Sequence, residues 1–168
     1  MAESVDITFH VPDDPAFLAA VARVTICHAH LDYCLRLCIK SLAGLSIEEA
    51  LDATEHEGSR ALRERIRKLA RMRLGEGQPL LKLQALMKRC EERTEERNRR
   101  THNIIGIWHY PGSQVPMRRT ADHCWESLPS AKELDALATS IMVLGAELNR
   151  ARLNGWLDQA LQKRPLAP

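Results

Sequence analysis

Residues 13–44 read DDPAFLAAVARVTICHAHLDYCLRLCIKSLAG, a pattern that calls for one long helix. Asp13 and Asp14 followed by Pro15 make a helix start, because a proline at the first helical position gives up an N–H that would have no partner there. Beyond it Phe17, Val21, Val24, His28, Leu31, Leu35, Cys38 and Leu42 recur at steps of four and three. That spacing lays them along one stripe of a long helix, which Gly44 is expected to end.

Outward from this helix the chain keeps the same period. Ser46 with Glu49 has the form of a capping box opening a short helix over 47–53, and Gly58-Ser59 precedes a basic helix over 60–74. The apolar face of that helix is read as Leu62, Ile66, Leu69 and Met72. After Gly75, Gly77 and Pro79 a further stripe runs through Leu80, Leu83, Met87 and Cys90, then turns polar at Thr94 and Arg97. Glu95 before Arg99 and Glu96 before Arg100 extend this helix to about His102 or Asn103. A second capping box, Ser130 with Glu133, opens the last long helix on Leu134, Leu137, Ile141, Leu144 and Leu148. It runs toward Lys163, with Gly155 as a point of interruption. Between these helices residues 104–129 carry Trp108, Tyr110, Pro111-Gly112, Val115, Pro116 and Pro129, the marks of an irregular excursion or a short hairpin. The expectation is an all-α fold, an up-down helical bundle of four to five helices with that excursion before the last helix. One domain spans 1–168, with an N-terminal extension over 1–12 and a flexible tail over 164–168.

Composition fits this reading. The 168 residues are 45% hydrophobic and 4% aromatic, too apolar for a disordered tail and poor in the residues that favour sheets. No apolar run is long enough to span a bilayer. Glu3 and Asp6 replace the basic start of a secretory signal, so the expected location is cytoplasmic and no membrane contact is expected. Five cysteines without a scaffold spacing suit reduced thiols there. The net charge of +2 hides an asymmetry: residues 1–56 sum to −6, residues 57–100 to +7 and residues 101–168 to +1. A basic middle draws phosphate-rich partners, although a solvated Arg/Glu helix face produces the same count.

The chemistry-bearing stretch is Glu96-Arg97-Asn98-Arg99-Arg100-Thr101-His102, where the apolar stripe has given way to charge. Arginine offers a permanent fork of donors for phosphate, histidine exchanges protons near neutral pH, and Asn98 can orient either. These ingredients suit attack of a ribose 2′-hydroxyl on its neighbouring phosphate, a reaction that requires no metal or other cofactor. Five residues along an ideal helix correspond to about 140° of rotation, so Arg97 and His102 do not share a face. They converge if the arginine reaches around, if the helix end distorts, or if a twofold axis brings two copies together. The spacing favours the last, a site shared by a dimer. Positions three and four residues from Arg97 hold Arg93, Thr94, Arg100 and Thr101, so an acidic partner would have to come from another helix.

Arg97, Asn98 and His102 resemble the signature of the HEPN superfamily, an arginine followed by four to six residues and a histidine, often with a polar residue after the arginine. The layout is similar too: a long first helix, the motif near the end of a later long helix, an irregular Trp-containing segment and a closing helix. The resemblance implies an all-helical homodimer with the motif lining a cleft between protomers. It implies metal-independent endoribonuclease cleavage in toxin-antitoxin, phage-defence or RNA-processing settings, with an antitoxin or other protein as partner. In the branch paired with a nucleotidyltransferase antitoxin a tyrosine stands two residues after the histidine, where this chain has Ile104.

Other constellations compete. Arg60, Arg63, Arg67 and Arg71 can share one face of the basic helix and, with Arg99 and Arg100, track an RNA backbone; Arg118 and Arg119 extend that patch. No interleaved aromatic offers base stacking, and Trp108, Tyr110 and Trp125 suit packing at a bundle edge better. His30, Cys34 and Cys38 stand four apart, with Cys27, His28 and His123-Cys124 as further donors for a zinc-binding regulator. Against this, Cys38 belongs to the apolar stripe, and His28 reads as a hydrogen-bonded core or interface histidine. A non-catalytic module for dimerisation, or for binding a nucleotide or protein, is the remaining alternative.

Overall fold

The computed structural model describes residues 7–9, 11–103, 105–110, 113–120 and 124–164. Helix α1 (Pro15–Ala43) starts where Asp14 caps it, its carboxylate accepting from the N–H groups of Ala16 and Phe17, and ends at Gly44. Gly44 takes φ 68° and ψ 30°, a left-handed conformation that side chains resist. Helix α2 (Ile47–Asp52) opens on the Ser46/Glu49 capping box. Helices α3 (Ser59–Leu74) and α4 (Gln78–Thr101) follow, and α5 (Ala131–Leu153) opens on the Ser130/Glu133 box. Gly155 separates α5 from α6 (Trp156–Gln162). A Cβ there would meet Arg150 O at 2.6 Å and the Cα of Ala151 at 2.9 Å, so the chain turns where only glycine fits.

Of the α1 stripe, all but half-buried Val21 are buried, and they pack mainly against the α5 seam of Leu134, Leu137, Ile141, Leu144 and Leu148. Leu62 and Ile66 of α3, and Leu83, Met87 and Cys90 of α4, complete the core. Truncating a fully buried leucine such as Leu35 or Leu144 costs about 2–5 kcal/mol, which is the scale on which this core holds the bundle. Met72 is 72% exposed and lies off the face assigned to it, because α3 turns Ala70 and Leu74 inward instead.

The chain is mostly helical but not all-α. Four short strands, β1 (Ile7–Phe9), β2 (Ile105–Tyr110), β3 (Ser113–Arg119) and β4 (Trp125–Ser127), form one antiparallel sheet in the order β1-β2-β3-β4. The excursion is therefore a three-strand meander, and part of the N-terminal extension is its edge strand. Thr8 faces Ile107 across the first pairing, and the Oγ1 of Thr8 lies 2.9 Å from His109 Nε2. Pro116 sits opposite Ile107 in β3. The alternation of β2 supports a strand, but its partner β1 lies at the far end of the chain and no local signal points to it. Residues 1–6 and 10 of the extension, Ile104, Pro111-Gly112, residues 121–123 with His123, and residues 165–168 of the tail lie outside the described residues.

Candidate active site

Helix α4 carries its buried apolar face down to Cys90, and the next inward position is Thr94, buried and polar. A hydroxyl in that position must find partners, since leaving a buried polar group unmade costs about 1–3 kcal/mol. Thr94 Oγ1 donates to Cys90 O at 2.8 Å, lies 3.2 Å from His28 Nε2, and accepts from Arg63 Nη1 at 3.2 Å. Three helices thus meet at one hydroxyl.

One turn further along α4, Arg97 grips two imidazoles. Its Nη2 lies 2.9 Å from His28 Nδ1, and its Nη1 contacts His102 Nε2. Arginine only donates, so both ring nitrogens facing it accept. His28 then carries its proton on Nε2, which donates to Thr94, and His102 carries its proton on Nδ1; these tautomers follow from the hydrogen-bond network. Burial holds the His28 pKa below its ordinary value of 6.5; Asp32 opposes this, while Arg97, Arg63 and His102 add to it. Asp32 Oδ2 lies 3.5 Å from His28 Nδ1, and its Oδ1 accepts from Ser59 Oγ at 2.7 Å.

The convergence of Arg97 and His102 has a local cause. Helix α4 ends at Thr101, and His102 caps it at φ −103° and ψ 7°, its N–H bonded to Asn98 O at 3.2 Å. The departure from helical backbone swings the ring toward the arginine within one protomer. The spacing therefore gives no reason of its own to invoke a second copy. The carbonyl of Arg99 at this end accepts from Asn103 Nδ2 at 2.5 Å and from Arg118 Nη1 of β3 at 2.6 Å. Asn98 is exposed, and its side chain bonds to no described residue. It lines both an open cleft of about 750 Å³ toward α3 and one of about 830 Å³ toward the sheet.

The arginines assigned to RNA do not form one free cationic face. Arg63 is only 4% exposed and bonds the Thr94 hydroxyl. Arg60 pairs with Glu64 at 2.9 Å, Arg67 with Glu91 at 2.7 Å, and Arg100 with Glu96 at 3.1 Å and Glu133 at 3.7 Å. Arg71 and Arg99 are exposed and form no ion pair with a described residue. Arg118 pairs with Glu126 at 2.8 Å. In the cysteine cluster, His30 is exposed while Cys38 is fully buried, its thiol pushed up to about 12 by burial first and by Cys90 next. Burial likewise pushes the Cys90 thiol up to about 12. No group of three His, Cys, Asp or Glu side chains among the described residues is arranged to hold a metal ion. No helix among them is long and apolar enough to cross a membrane.

His28 is the member of the cluster that the sequence did not tie to the motif. Its position on the buried stripe signals a hydrogen-bonded core histidine, which it is, but its partner Arg97 lies 69 residues away. Comparisons with family models, with curated proteins and with solved structures return no match.

Proposed function

We propose that the chain is a HEPN-like RNA-binding protein and metal-independent endoribonuclease, with Arg97 as the phosphate-holding group, His102 as the proton-transfer group and Asn98, whose carbonyl holds the His102 N–H, as the orienting group. The observation that carries this is the setting of Arg97. Its guanidinium is held by two imidazoles and forms no ion pair with a described residue, so its charge remains for an anionic ligand. A charge taken out of water for stability alone is ordinarily paired with an opposite one.

The residues support the following reaction. His102 Nε2, once released by Arg97, takes the proton of a ribose 2′-hydroxyl. The 2′-oxygen bonds to the adjacent phosphorus and the bond from phosphorus to the 5′-oxygen breaks. The imidazolium returns its proton to that leaving oxygen, giving a 2′,3′-cyclic phosphate and a 5′-hydroxyl. Arg97 stabilises the charge gathered on the phosphoryl oxygens. His28 touches neither proton nor phosphate; it positions Arg97, and its neutrality keeps the Nδ1 acceptor available. Exposed Arg71 and Arg99 add attraction for the strand. A homodimer, an antitoxin-like partner and a role in defence or RNA processing belong to the same reading.

The test is cleavage of a panel of RNAs by parent, Arg97→Ala and His102→Ala proteins. Both variants should fold and lose roughly a hundredfold or more in rate. Equal cutting by all three sinks the catalytic assignment. One observation favours the non-catalytic alternative: Arg97 joins α4 to α1 through His28, so it also braces the bundle. RNA left intact by the parent, with a lower melting temperature in Arg97→Ala, would favour that role.

A further inference from the structure

The cleft toward α3 has properties the motif does not need. The N-cap residue of α3 is Gly58, which supplies no side-chain cap. The N–H groups of Ser59, Arg60 and Ala61 therefore have no acceptor within the helix, and they carry the positive end of a 16-residue dipole. These residues line the cleft together with Arg63, Thr94 and Arg97.

Arg63 supplies an independent pointer. The residue is 96% removed from solvent yet forms no ion pair with a described residue, and it uses only Nη1, toward Thr94. Its buried Nε has no hydrogen-bond partner among the described residues, and neither has the buried Nε of Arg97. A buried guanidinium without an anion is costly, and the cost is recovered when an anion arrives. The nearby acids are already engaged or lie outside: Asp32 accepts from the Ser59 hydroxyl, Glu64 is tied to Arg60, Glu91 is tied to Arg67, and Glu95 is exposed. Fixed donors, a helix N-terminus and a buried cation together match a tetrahedral oxyanion.

We infer that this cleft is a phosphate site, occupied by a phosphodiester of the RNA strand neighbouring the one that Arg97 and His102 act on. The identity of the strand rests on the function proposed above, whereas the anion chemistry rests on the cleft alone.

Gly58 gives a test that spares the fold. Its φ of −79° and ψ of 169° suit any residue, and a Cβ there meets nothing within 4 Å. Gly58→Asp puts a carboxylate onto the N–H groups as a helix cap, whereas Gly58→Ala adds no charge. Inorganic phosphate and a 2′-O-methyl oligoribonucleotide, which cannot be cleaved, are titrated against parent and both variants by calorimetry. Parent and Gly58→Ala should bind both probes, and Gly58→Asp should bind each roughly tenfold more weakly while melting no lower than the parent. A parent that does not bind phosphate, or equal phosphate binding by the two variants, overturns the site. Weakened phosphate binding with unchanged oligonucleotide binding overturns the strand as its occupant. RNA cleavage by the parent is measured alongside: phosphate binding without cleavage supports the cleft and removes the nuclease, and cleavage without phosphate binding does the reverse.

Discussion

Two arginine-bearing regions, helix α3 and the end of α4, use their cations differently. On α3, Arg60 and Arg67 are spent on Glu64 and Glu91, and Arg63 is buried against Thr94. At the end of α4, Arg97 is held by His28 and His102. A carboxylate neutralises a guanidinium; an imidazole orients it and leaves its charge in place. The partner of a cation, more than the number of cations, therefore separates a solvated helix face from a site that can act on phosphate.

Three measurements test this contrast. The largest expected effect comes from Thr94→Val, which keeps the shape of the side chain but removes the partner shared by His28, Arg63 and Cys90 O. Leaving these groups unpaired should lower stability by about 1–3 kcal/mol in urea unfolding. A loss under about 0.5 kcal/mol would mean that the two regions are not joined through this hydroxyl.

An intermediate effect concerns pH. Burial lowers the His28 pKa, against the pull of Asp32 and with the help of Arg97, Arg63 and His102, so the folded imidazole stays neutral where the unfolded one has begun to bind a proton. The unfolded state then holds more protons, and the contribution of His28 to stability is full above 6.5 and declines as pH falls below it. The urea midpoint of the parent should therefore fall more steeply than that of His28→Gln between about pH 7.5 and about pH 5.5. Parallel profiles would show that His28 does not hold Arg97 as a neutral acceptor.

The smallest effect is expected from Arg67→Ala. Its pair with Glu91 is partly exposed, with 29% and 38% of the two side chains accessible, and solvent screens it. The melting temperature should reflect a change of no more than about 0.5 kcal/mol. A loss as large as that of Thr94→Val would erase the distinction between the regions.

The helices were legible because their signals are local. The caps at Asp14, Ser46 and Ser130, the stop at Gly44 and the break at Gly155 each act within a few residues, and the α1 and α5 stripes repeat over many turns. Of the sheet only the β2–β3 hairpin was legible, since β1 and β4 are three residues each and the pairing of β1 with β2 spans most of the chain. At the site, the motif was visible in Arg97 and His102, and the core character of His28 in its stripe. Their union was not, because a periodic pattern shows which way a side chain faces and not what it meets. The Arg60, Arg63, Arg67 and Arg71 series shows the same limit: two of its members had already found carboxylates.

The pairing of Thr8 with Ile107 also bears on the order of assembly. Contacts between such distant parts of a chain close late, because the entropy of the enclosed loop must be overcome before they contribute. Arg118, which holds the Arg99 carbonyl at the end of α4, belongs to the sheet that this pairing completes. The helices are thus expected to pack before the turn bearing His102 is fixed, so that a newly made chain would gain its shape ahead of its chemistry.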